Sequence, residues 1–453
     1  MEKGICRILV TCLVMVLISC SKDTDYQPID TSRALAGGET TLFTMSNIAY
    51  STPASNLSAA SFEMHLDGDR DFEQVFVTAP APLNPGLGSV YNNSSCIKCH
   101  PSDGRGKFLP NDINGFTSLL LRTSIPGLGE HGGPMAVPGY GTQLQNHALP
   151  GFLPEVTYQV SLEEHTETLA DGQEVVLRKP IFSITDPYMQ LPVGYMLSPR
   201  IAPPVFGLGL LEAIPEADIL AASDENDIDG DGISGRPNYV WNPVTQQTEL
   251  GRFGWKANTP TLQIQVAGAY HDDMGITSYV FPDEEYDDGM EDDPEITATI
   301  LDNVTFYCQT LAVPAARKVD DANVDRGYRI FQELQCAKCH VPEQRTLNSS
   351  IAELSNQTIY PFTDMLLHDM GEGLADNRPD FLASGSEWKT RPLWGIGLQQ
   401  IVNGHTQFLH DGRARTITEA ILWHGGEALD AKNQFKALST NDRNDLLKFL
   451  NSL

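Results

Sequence analysis

Two copies of a five-residue pattern, Cys-x-x-Cys-His, constrain this chain more than any other feature, and they occupy residues 96–100 and 336–340. In such a pattern the two thiols can form thioether bonds to the vinyl groups of a porphyrin, and the adjoining histidine can ligate its iron. A single copy could also be half of a zinc site. Two copies predict a protein with two covalently bound c-type haems. The predicted haem-binding residues are Cys96, Cys99, His100, Cys336, Cys339 and His340, with the two histidines as iron ligands.

The N-terminal residues resemble a bacterial export signal. Basic residues precede an apolar run over residues 8–18, which is too short to span a bilayer as a stable anchor. The run leads into Leu-Ile-Ser-Cys, which resembles a lipobox. We therefore expect a lipoprotein signal peptide over residues 1–19 and lipidation of Cys20; an ordinary signal peptide with an incidental cysteine is the alternative. Because c-type haems are attached outside the cytoplasm, the expected location is the bacterial cell envelope, lipid-anchored, periplasmic or at the outer membrane.

The charge of the chain excludes some classes of partner. It carries 30 basic and 59 acidic residues, a formal net charge of −29. Such a charge argues against binding to nucleic acids and to anionic lipid surfaces. It suits either a solvated acidic surface or a docking patch for a basic electron-donor protein.

The distribution of helical and loop-forming stretches predicts two haem domains. Residues 20–60 are expected to be a tether with irregular structure. Residues 61–313 would form an N-terminal haem c domain, with an insertion over about residues 150–290 that contains loops and a β-hairpin turning at an Asp-Gly pair. Residues 314–453, in which a helix runs into the second motif, would form a C-terminal cytochrome c domain. The predicted fold class is therefore mainly α, with two cytochrome c-like haem domains and a loop- and hairpin-rich insertion in the first.

A second iron ligand for the C-terminal haem is predicted at His424. Thr416 followed three residues later by Glu419 is a capping box, so a helix should begin there. On that helix His424 shares one face with apolar residues, so its ring should point toward the object on which the helix packs, the haem. The apolar residues on this face are Ile417, Ala420 and Ile421.

The assignment of His424 has alternatives. It could be a hydrogen-bonded core histidine, and His368 and His410 are rivals for the same ligand position. Met/His ligation raises the reduction potential of a haem, and replacing the methionine by histidine lowers it. Ligation by His424 therefore predicts a C-terminal haem of low potential.

An acidic loop over residues 227–232 has the spacing Asp-x-Asp-x-Asp-Gly, which opens a typical calcium-binding loop. Alternating carboxylates converge on one hard cation, and the glycine permits a sharp turn. The twelfth position is Asn238 rather than Glu, so a bidentate ligand is missing, although Asp224 and Asn226 could contribute. A bare acidic turn is the alternative. The predicted ligands of a structural calcium ion are Asp227, Asp229, Asp231 and Ile233, the last through its carbonyl.

Six further runs carry a family resemblance, among them Phe-Leu-His-Asp-Gly-Arg near the C-terminus. They lie at residues 143–151, 198–204, 207–212, 251–256, 366–371 and 408–413. Together they resemble the dihaem oxidoreductase family of peroxidase-like proteins, over nearly all of the mature chain. That family is itself similar, more distantly, to bacterial dihaem cytochrome c peroxidases and to the dihaem enzyme that matures tryptophan tryptophylquinone.

The resemblance implies that the two haems have different roles. In the relatives, peroxide reacts at an open or openable N-terminal haem, and a six-coordinate C-terminal haem stores or relays an electron. His424 matches the position at which the relatives carry the distal ligand of the C-terminal haem. The relatives also place a tryptophan between the haems, but none precedes Trp241 here. Tyr140, Trp255 or direct transfer between haem edges could carry the electron instead.

The resemblance also implies two catalytic side chains over the N-terminal haem. The spacing of Gln145 and Glu155 resembles the Gln…Pro…Glu loop of the related peroxidases. Glu155 would move the proton of peroxide, and Gln145 would orient the peroxide or a distal water. Gln143 could stand in for Gln145, since the intervening proline is displaced by one place, and His147 could be a resting-state ligand. A surface loop with incidental Gln and Glu is the alternative.

The sequence therefore predicts an enzyme, a dihaem c-type oxidoreductase of the peroxidase type. It would take hydrogen peroxide as its small-molecule oxidant and electrons from an external donor, bind no nucleic acid and contact the membrane only through its lipid. Its cofactors would be two covalently bound haem c groups and a structural calcium ion. One alternative is an electron-transfer dihaem cytochrome without substrate turnover, and another is a partner-binding lipoprotein with structural haems.

Overall fold

The computed structural model describes residues 29–108, 118–283 and 294–453. The predicted signal peptide, Cys20 and the first part of the predicted tether lie outside the described residues. Within these three ranges, no helix has the length and apolar character needed to cross a membrane.

The fold is mixed, with 30% of the structure in helix and 19% in strand, arranged in several small sheets. The prediction of a mainly α fold with cytochrome c-like domains was therefore wrong. The stretch between the two haem motifs explains the difference. Its apolar runs are short, rich in β-branched residues and interrupted by Gly and Pro, so they form antiparallel strands rather than helices. The predicted domain boundaries stay a prediction.

The helices of the described residues are mostly short. In chain order they are α1 (Ala59–Phe72), α2 (Cys96–Cys99), α3 (Leu208–Glu212), α4 (Glu216–Ala221), α5 (Leu262–Met274), α6 (Ala298–Thr310), α7 (Ala322–Glu333), α8 (Gln399–Asn403), α9 (Ile417–Trp423), α10 (Leu429–Ala437) and α11 (Thr440–Leu450).

The strands lie mainly between the two motifs. In chain order they are β1 (Val90–Tyr91), β2 (Leu119–Leu128), β3 (Pro134–Met135), β4 (Gln143–Leu144), β5 (His147–Ala148), β6 (Thr157–Thr168), β7 (Glu174–Thr185), β8 (Met196–Ile201), β9 (Tyr239–Asn242), β10 (Gln247–Leu250), β11 (Gln344–Arg345), β12 (Thr358–Ile359), β13 (Leu367–Asp369) and β14 (Glu387–Lys389).

Helices α1 and α6 pack together beside the first haem motif. Gly68 permits their close approach, because a Cβ atom there would lie 2.2 Å from the carbonyl oxygen of Asn303. Phe72, at the end of α1, contacts the rings of Tyr307 and His100 at centroid distances of 5.2 and 6.3 Å. One apolar core therefore extends from these helices to the motif.

A four-stranded antiparallel sheet lies on another side of the first motif. Its central strand β2 pairs with β3, β4 and β8. In this register Arg122 lies opposite Gln143 of β4 and Ser198 of β8. The pairing therefore places the beginning of the predicted catalytic loop next to Arg122.

The longest strands, β6 and β7, form the hairpin that the Asp-Gly pair predicted, and they pair along their full length. At its turn Asp171 forms an ion pair with Arg443 of α11. Leu177 is fully buried in the C-terminal core, and Arg415 donates a hydrogen bond to the carbonyl of Val176. The far end of the hairpin therefore packs on the C-terminal helices, although its strands follow the predicted catalytic loop.

Helix α7 leads into the second motif, as predicted, and packs against α11. Gly327 permits this contact, because a Cβ atom there would lie 2.0 Å from the carbonyl oxygen of Asp445. The rings of Phe331, Phe362 and Phe449 pack against one another at centroid distances of 5.4 to 5.8 Å. This aromatic cluster supports the second motif, since the Phe331 ring also lies 6.4 Å from the ring of His340.

Candidate haem-binding and catalytic sites

The first Cys-x-x-Cys-His motif forms the single turn α2, and His100 follows it as the C-terminal cap. Nδ1 of His100 lies 2.6 Å from the carbonyl oxygen of Pro203 and therefore donates its hydrogen to that carbonyl. Nε2 is then the unprotonated nitrogen, and loss of solvation lowers the pKa of His100 to about 4, so the ring is neutral. A neutral imidazole oriented by a carbonyl is the usual form of a histidine metal ligand.

A cavity of about 390 Å³ lies beside this motif, and Cys96, Cys99 and His100 all border it. Apolar residues of α5, α6 and β8 form much of its wall. Apolar walls, two thiols and a histidine in its metal-ligand form fit a haem bound at this motif. The charged or titratable side chains at the wall, other than those of the motif, include Arg122, Glu130, His131, Arg200, Asp272, Asp273 and Arg391.

Two carboxylates in the last turn of α5 border the cavity. Burial opposes the ionisation of Asp272, but Arg122, at 2.6 Å, and His271 outweigh it and lower the pKa of that carboxyl. Burial raises the pKa of Asp273 to about 6, against the opposing effect of Arg122, and its carboxylate accepts a hydrogen bond from Gln143 at 2.8 Å. Because the helix dipole disfavours acidic groups at a C-terminus, their position indicates a functional role.

Arg122, Asp272 and Asp273 were not predicted from the sequence. One signal was available, because two acidic residues stand just before Gly275, which ends α5 in the left-handed conformation, where basic residues are favoured. Arg122 had no comparable signal. It reaches the cavity only through the register of β2.

The structure brings Gln145 and Glu155 together. The backbone amide of Gln145 donates a hydrogen bond to the carboxylate of Glu155 at 2.5 Å, and its side chain donates to the carbonyl of Asp272 at 2.6 Å. Both residues are buried, and neither borders the cavity. They lie behind Asp272, and their catalytic role stays a prediction. His147, in the same loop, stacks on Tyr91 at a centroid distance of 5.7 Å.

The second motif repeats the hydrogen-bonding pattern of the first. Nδ1 of His340 lies 3.0 Å from the carbonyl oxygen of Phe362, and Nδ1 of His424 lies 2.7 Å from that of Ala420. Loss of solvation and the neighbouring His424 lower the pKa of His340 to about 4, and loss of solvation also lowers the pKa of His424. Two neutral imidazoles, each with Nε2 left for a metal, fit a haem iron with two histidine ligands.

Helix α9 begins as the capping box predicted. The hydroxyl of Thr416 accepts a hydrogen bond from the amide of Glu419 at 3.1 Å. The side chain of Glu419 pairs with Arg415 and accepts a hydrogen bond from its backbone amide. The helix ends at Trp423, so His424 is its C-terminal cap residue rather than part of the last turn.

The two rival histidines make other contacts. His368 is hydrogen-bonded through Nδ1 to Glu427 at 2.7 Å and through Nε2 to Asp364 at 2.8 Å. Although burial opposes it, these carboxylates raise the pKa of His368 well above its usual value, and an imidazolium cannot ligate iron. His410 stacks on Trp388 at a centroid distance of 3.9 Å.

The structure brings together three carboxylates in and beside the acidic loop. Asp224, Asp227 and Asp229 each place a carboxylate oxygen within 4.8 Å of the others. Asp231 forms an ion pair with Lys338 of the second motif, and its carboxylate accepts a hydrogen bond from the amide of Ile233 at 2.8 Å. Calcium binding stays a prediction, with Asp224 nearer to the other ligands than the sequence analysis assumed.

A family model matches nearly the whole chain. It is described as di-haem oxidoreductase, putative peroxidase, and it matches residues 30–453. That range contains both motifs, the cavity and His424. No curated protein matches the chain.

The buried ion-pair network of His368 predicts a pH-dependent stability. Because the folded state raises the pKa of His368, this group stabilises the fold below pH 6.5 and loses its contribution as the pH rises through the folded-state pKa. We expect His368→Gln to lower the free energy of unfolding by about 3–5 kcal/mol at pH 6, since it removes the cation that lies between the buried carboxylate of Asp364 and the partly buried carboxylate of Glu427. Denaturant unfolding of the holoprotein between pH 6 and 9 measures both effects.

The control for this prediction is His131→Gln, which removes a partly exposed histidine beside the exposed Glu130. It should change the free energy of unfolding by about 0–1 kcal/mol. Equal pH dependence in wild type and His368→Gln would contradict the assignment of His368 as a buried imidazolium.

Proposed function

The chain belongs to the di-haem oxidoreductase family, whose members carry two haems, and on that basis we propose that it is a peroxidase of the bacterial cell envelope. Cys96, Cys99 and His100 would hold covalently the haem that supplies the chemistry for the reduction of hydrogen peroxide. Residues 336–340, with His424 as a second ligand, would hold the haem that supplies electron relay from an external donor.

The observation that supports this proposal is the asymmetry between the two motifs. His340 has a second neutral imidazole, His424, as its neighbour, and each is oriented by a backbone carbonyl. His100 instead borders a cavity of about 390 Å³ with charged side chains at its wall. A site with two protein ligands suits electron storage, whereas a site whose wall also carries Asp273 and Arg122 suits a small oxidant that needs proton transfer.

When bound, the haems supply one-electron chemistry that side chains lack, and the chain supplies proton transfer and orientation. Asp273 borders the cavity, and its pKa of about 6 leaves it mainly ionised at neutral pH, so it can accept a proton from peroxide and return it. Arg122, paired with Asp272, places a positive charge at the same wall. That charge stabilises negative charge that develops in the cavity.

Gln145 and Glu155 form a second layer behind this wall. Gln145 holds the carbonyl of Asp272, and Glu155 holds the amide of Gln145. In the proposal Glu155 holds the loop through the amide of Gln145, and Gln145 keeps the end of α5, with Asp273, in place. Both roles require the loop that carries them to remain packed against α5.

Calcium at the acidic loop is a structural part of the proposal. The three clustered carboxylates of Asp224, Asp227 and Asp229 would repel one another without a cation. Metal analysis after dialysis tests it: wild type should retain calcium, Asp229→Asn should lose it, and the exposed control Asp218→Asn should keep it. A wild-type protein that retains no calcium contradicts the site.

Lipid anchoring at Cys20 is a further part of the proposal. It is supported by the lipobox-like run before Cys20 and by the two motifs for haem attachment. Mass spectrometry of the mature N-terminus tests it. An unmodified Cys20, or an uncleaved leader, contradicts it.

The proposed peroxidase activity predicts distinct spectra for the two haems. We expect one high-spin ferric haem that hydrogen peroxide converts to a high-valent species, directly or after one-electron reduction, and one low-spin haem. Electronic absorption and electron paramagnetic resonance spectra measure this. Two low-spin haems that remain inert to peroxide before and after reduction contradict the proposal and favour an electron-transfer cytochrome.

Proton transfer is tested with matched variants. Asp273→Asn should slow the reaction with peroxide by about a hundredfold, the lower end of the usual effect of a general acid–base group, and Glu155→Gln should also slow it, because it releases the loop that holds the end of α5. The exposed control Glu163→Gln should react at the wild-type rate. Because Asp273 titrates near pH 6, the wild-type rate should rise as the pH increases through 6, and Asp273→Asn should lack that rise.

The proposed second ligand predicts the direction of a redox change. His424→Met should raise the midpoint potential of one haem and leave the other unchanged, because Met/His ligation favours the ferrous state. Spectroelectrochemical titration measures both potentials. His410→Met, at the rival position, is the control and should leave the axial ligation unchanged; no shift in His424→Met would count against ligation.

A further inference from the structure

Arg391 is a cation at the cavity wall for which the described residues provide no counter-ion. No described carboxylate lies within ion-pair distance of it, and loss of solvation lowers its pKa to about 10. The other arginines at this wall are paired. Arg122 lies 2.6 Å from Asp272, and Arg200 lies 2.9 Å from Asp380.

A second arginine, Arg105, approaches the same place from the segment that follows the first motif. It is only 7% exposed. Its guanidinium donates a hydrogen bond to the carbonyl of Leu409, while its Nε has no hydrogen-bond partner among the described residues. Burial lowers the pKa of Arg105 to about 9, and the charge of Arg391 adds to this effect. The two like charges are therefore close enough to repel each other.

Trp255 brings the two guanidiniums together. The Cζ atoms of Arg391 and Arg105 lie 4.9 and 5.2 Å from the centroid of its ring, which also borders the cavity. The amide of Lys389 donates a hydrogen bond to the carbonyl of Trp255 at 3.0 Å and so fixes the segment that carries Arg391. Contact with an aromatic face positions a cation without neutralising it, so a compensating anion is expected here.

We propose that Arg391 and Arg105 bind the propionate carboxylates of the haem at the first motif. This inference rests on the haem binding at that motif in the proposed function, and it is independent of peroxide turnover. A guanidinium presents a planar fork of donors that matches a carboxylate. A haem attached at Cys96 and Cys99 brings two carboxylates into the cavity that Arg391 borders. A free carboxylate from solution has the same chemistry, so the experiment must separate the two sources.

The test is the midpoint potential of the N-terminal haem in the purified holoprotein, after its absorption spectrum has shown that both haems are bound. Arg391→Gln removes one positive charge and should favour the ferric state by about tenfold, which is 59 mV for a one-electron couple. Arg105→Gln should act in the same direction. His424→Met shifts the other haem and thereby identifies which potential belongs to which haem.

Arg391→Lys keeps the charge and is the variant that tests the geometry if Arg391→Gln does not fold. Its potential should stay near that of wild type, while the propionate bending band in the resonance Raman spectrum should shift, because one ammonium replaces a bidentate fork. The surface control Arg329→Gln, at a side chain that is 58% exposed, should change neither reading.

Three results would overturn the inference. The first is an unchanged potential in Arg391→Gln with both haems bound, and the second is an unchanged propionate band in Arg391→Lys. The third is a wild-type potential that shifts on addition of acetate while that of Arg391→Gln does not, since this would assign the site to free carboxylates. Absence of haem from the first motif would instead contradict the proposed function.

Discussion

A hydrogen bond from histidine Nδ1 to a backbone carbonyl recurs at each candidate iron ligand, and the arrangement of the sites depends on it. The carbonyls belong to Pro203 for His100, to Phe362 for His340 and to Ala420 for His424. Donation through Nδ1 selects the tautomer in which Nε2 carries the lone pair. The carbonyls of Pro203 and Phe362 belong to segments outside the motifs. The fold therefore has to bring these segments to His100 and His340 before the Nε2 atoms of these histidines can ligate a metal.

The charged groups around the first motif have to be paired with groups of opposite charge, and this is a second constraint on the structure. Carboxylates at the C-terminal end of a helix and guanidiniums at a cavity wall both cost stability unless they are paired. Asp272 is paired with Arg122, and Arg200 is paired with Asp380. Arg391 remains without such a partner among the described residues, although it borders the same cavity as the first haem motif. The wall is therefore apolar over much of its area but carries one cation without a counter-ion, which an anionic group of the ligand would neutralise.

Trp255 lies where the two halves of the chain meet at this wall. Its indole nitrogen donates a hydrogen bond to the carbonyl of Ile201 in β8, and its ring lies 6.5 Å from the ring of His410. His410 in turn stacks on Trp388. The structure thus places a group of buried aromatic rings at and behind the first cavity, and electron transfer through Trp255 stays a prediction. Two guanidiniums over the Trp255 ring would make its oxidation harder, since they disfavour a positive charge on the indole.

Local patterns were predictable wherever neighbouring residues decide the structure. The capping box at Thr416 begins α9, the Asp-Gly pair turns the long hairpin, and α7 runs into the second motif. The fold class was not predictable in this way, because short apolar runs between the motifs form strands only when they pair with distant partners. For the same reason the ion pair of Asp231 with Lys338, far along the chain, could not be predicted from the acidic loop.

By itself, the amino-acid sequence determined the two Cys-x-x-Cys-His motifs, the family and the start of the helix that leads to His424, because short runs of adjacent residues encode each of them. Only the tertiary structure decided what surrounds them. It placed His424 beside His340, paired His368 with two carboxylates, moved Gln145 and Glu155 behind the cavity wall and brought Asp273 to its surface. Apart from the contact of His368 with Asp364, four positions away, these contacts join residues ten or more positions apart, and strand register and helix packing create them.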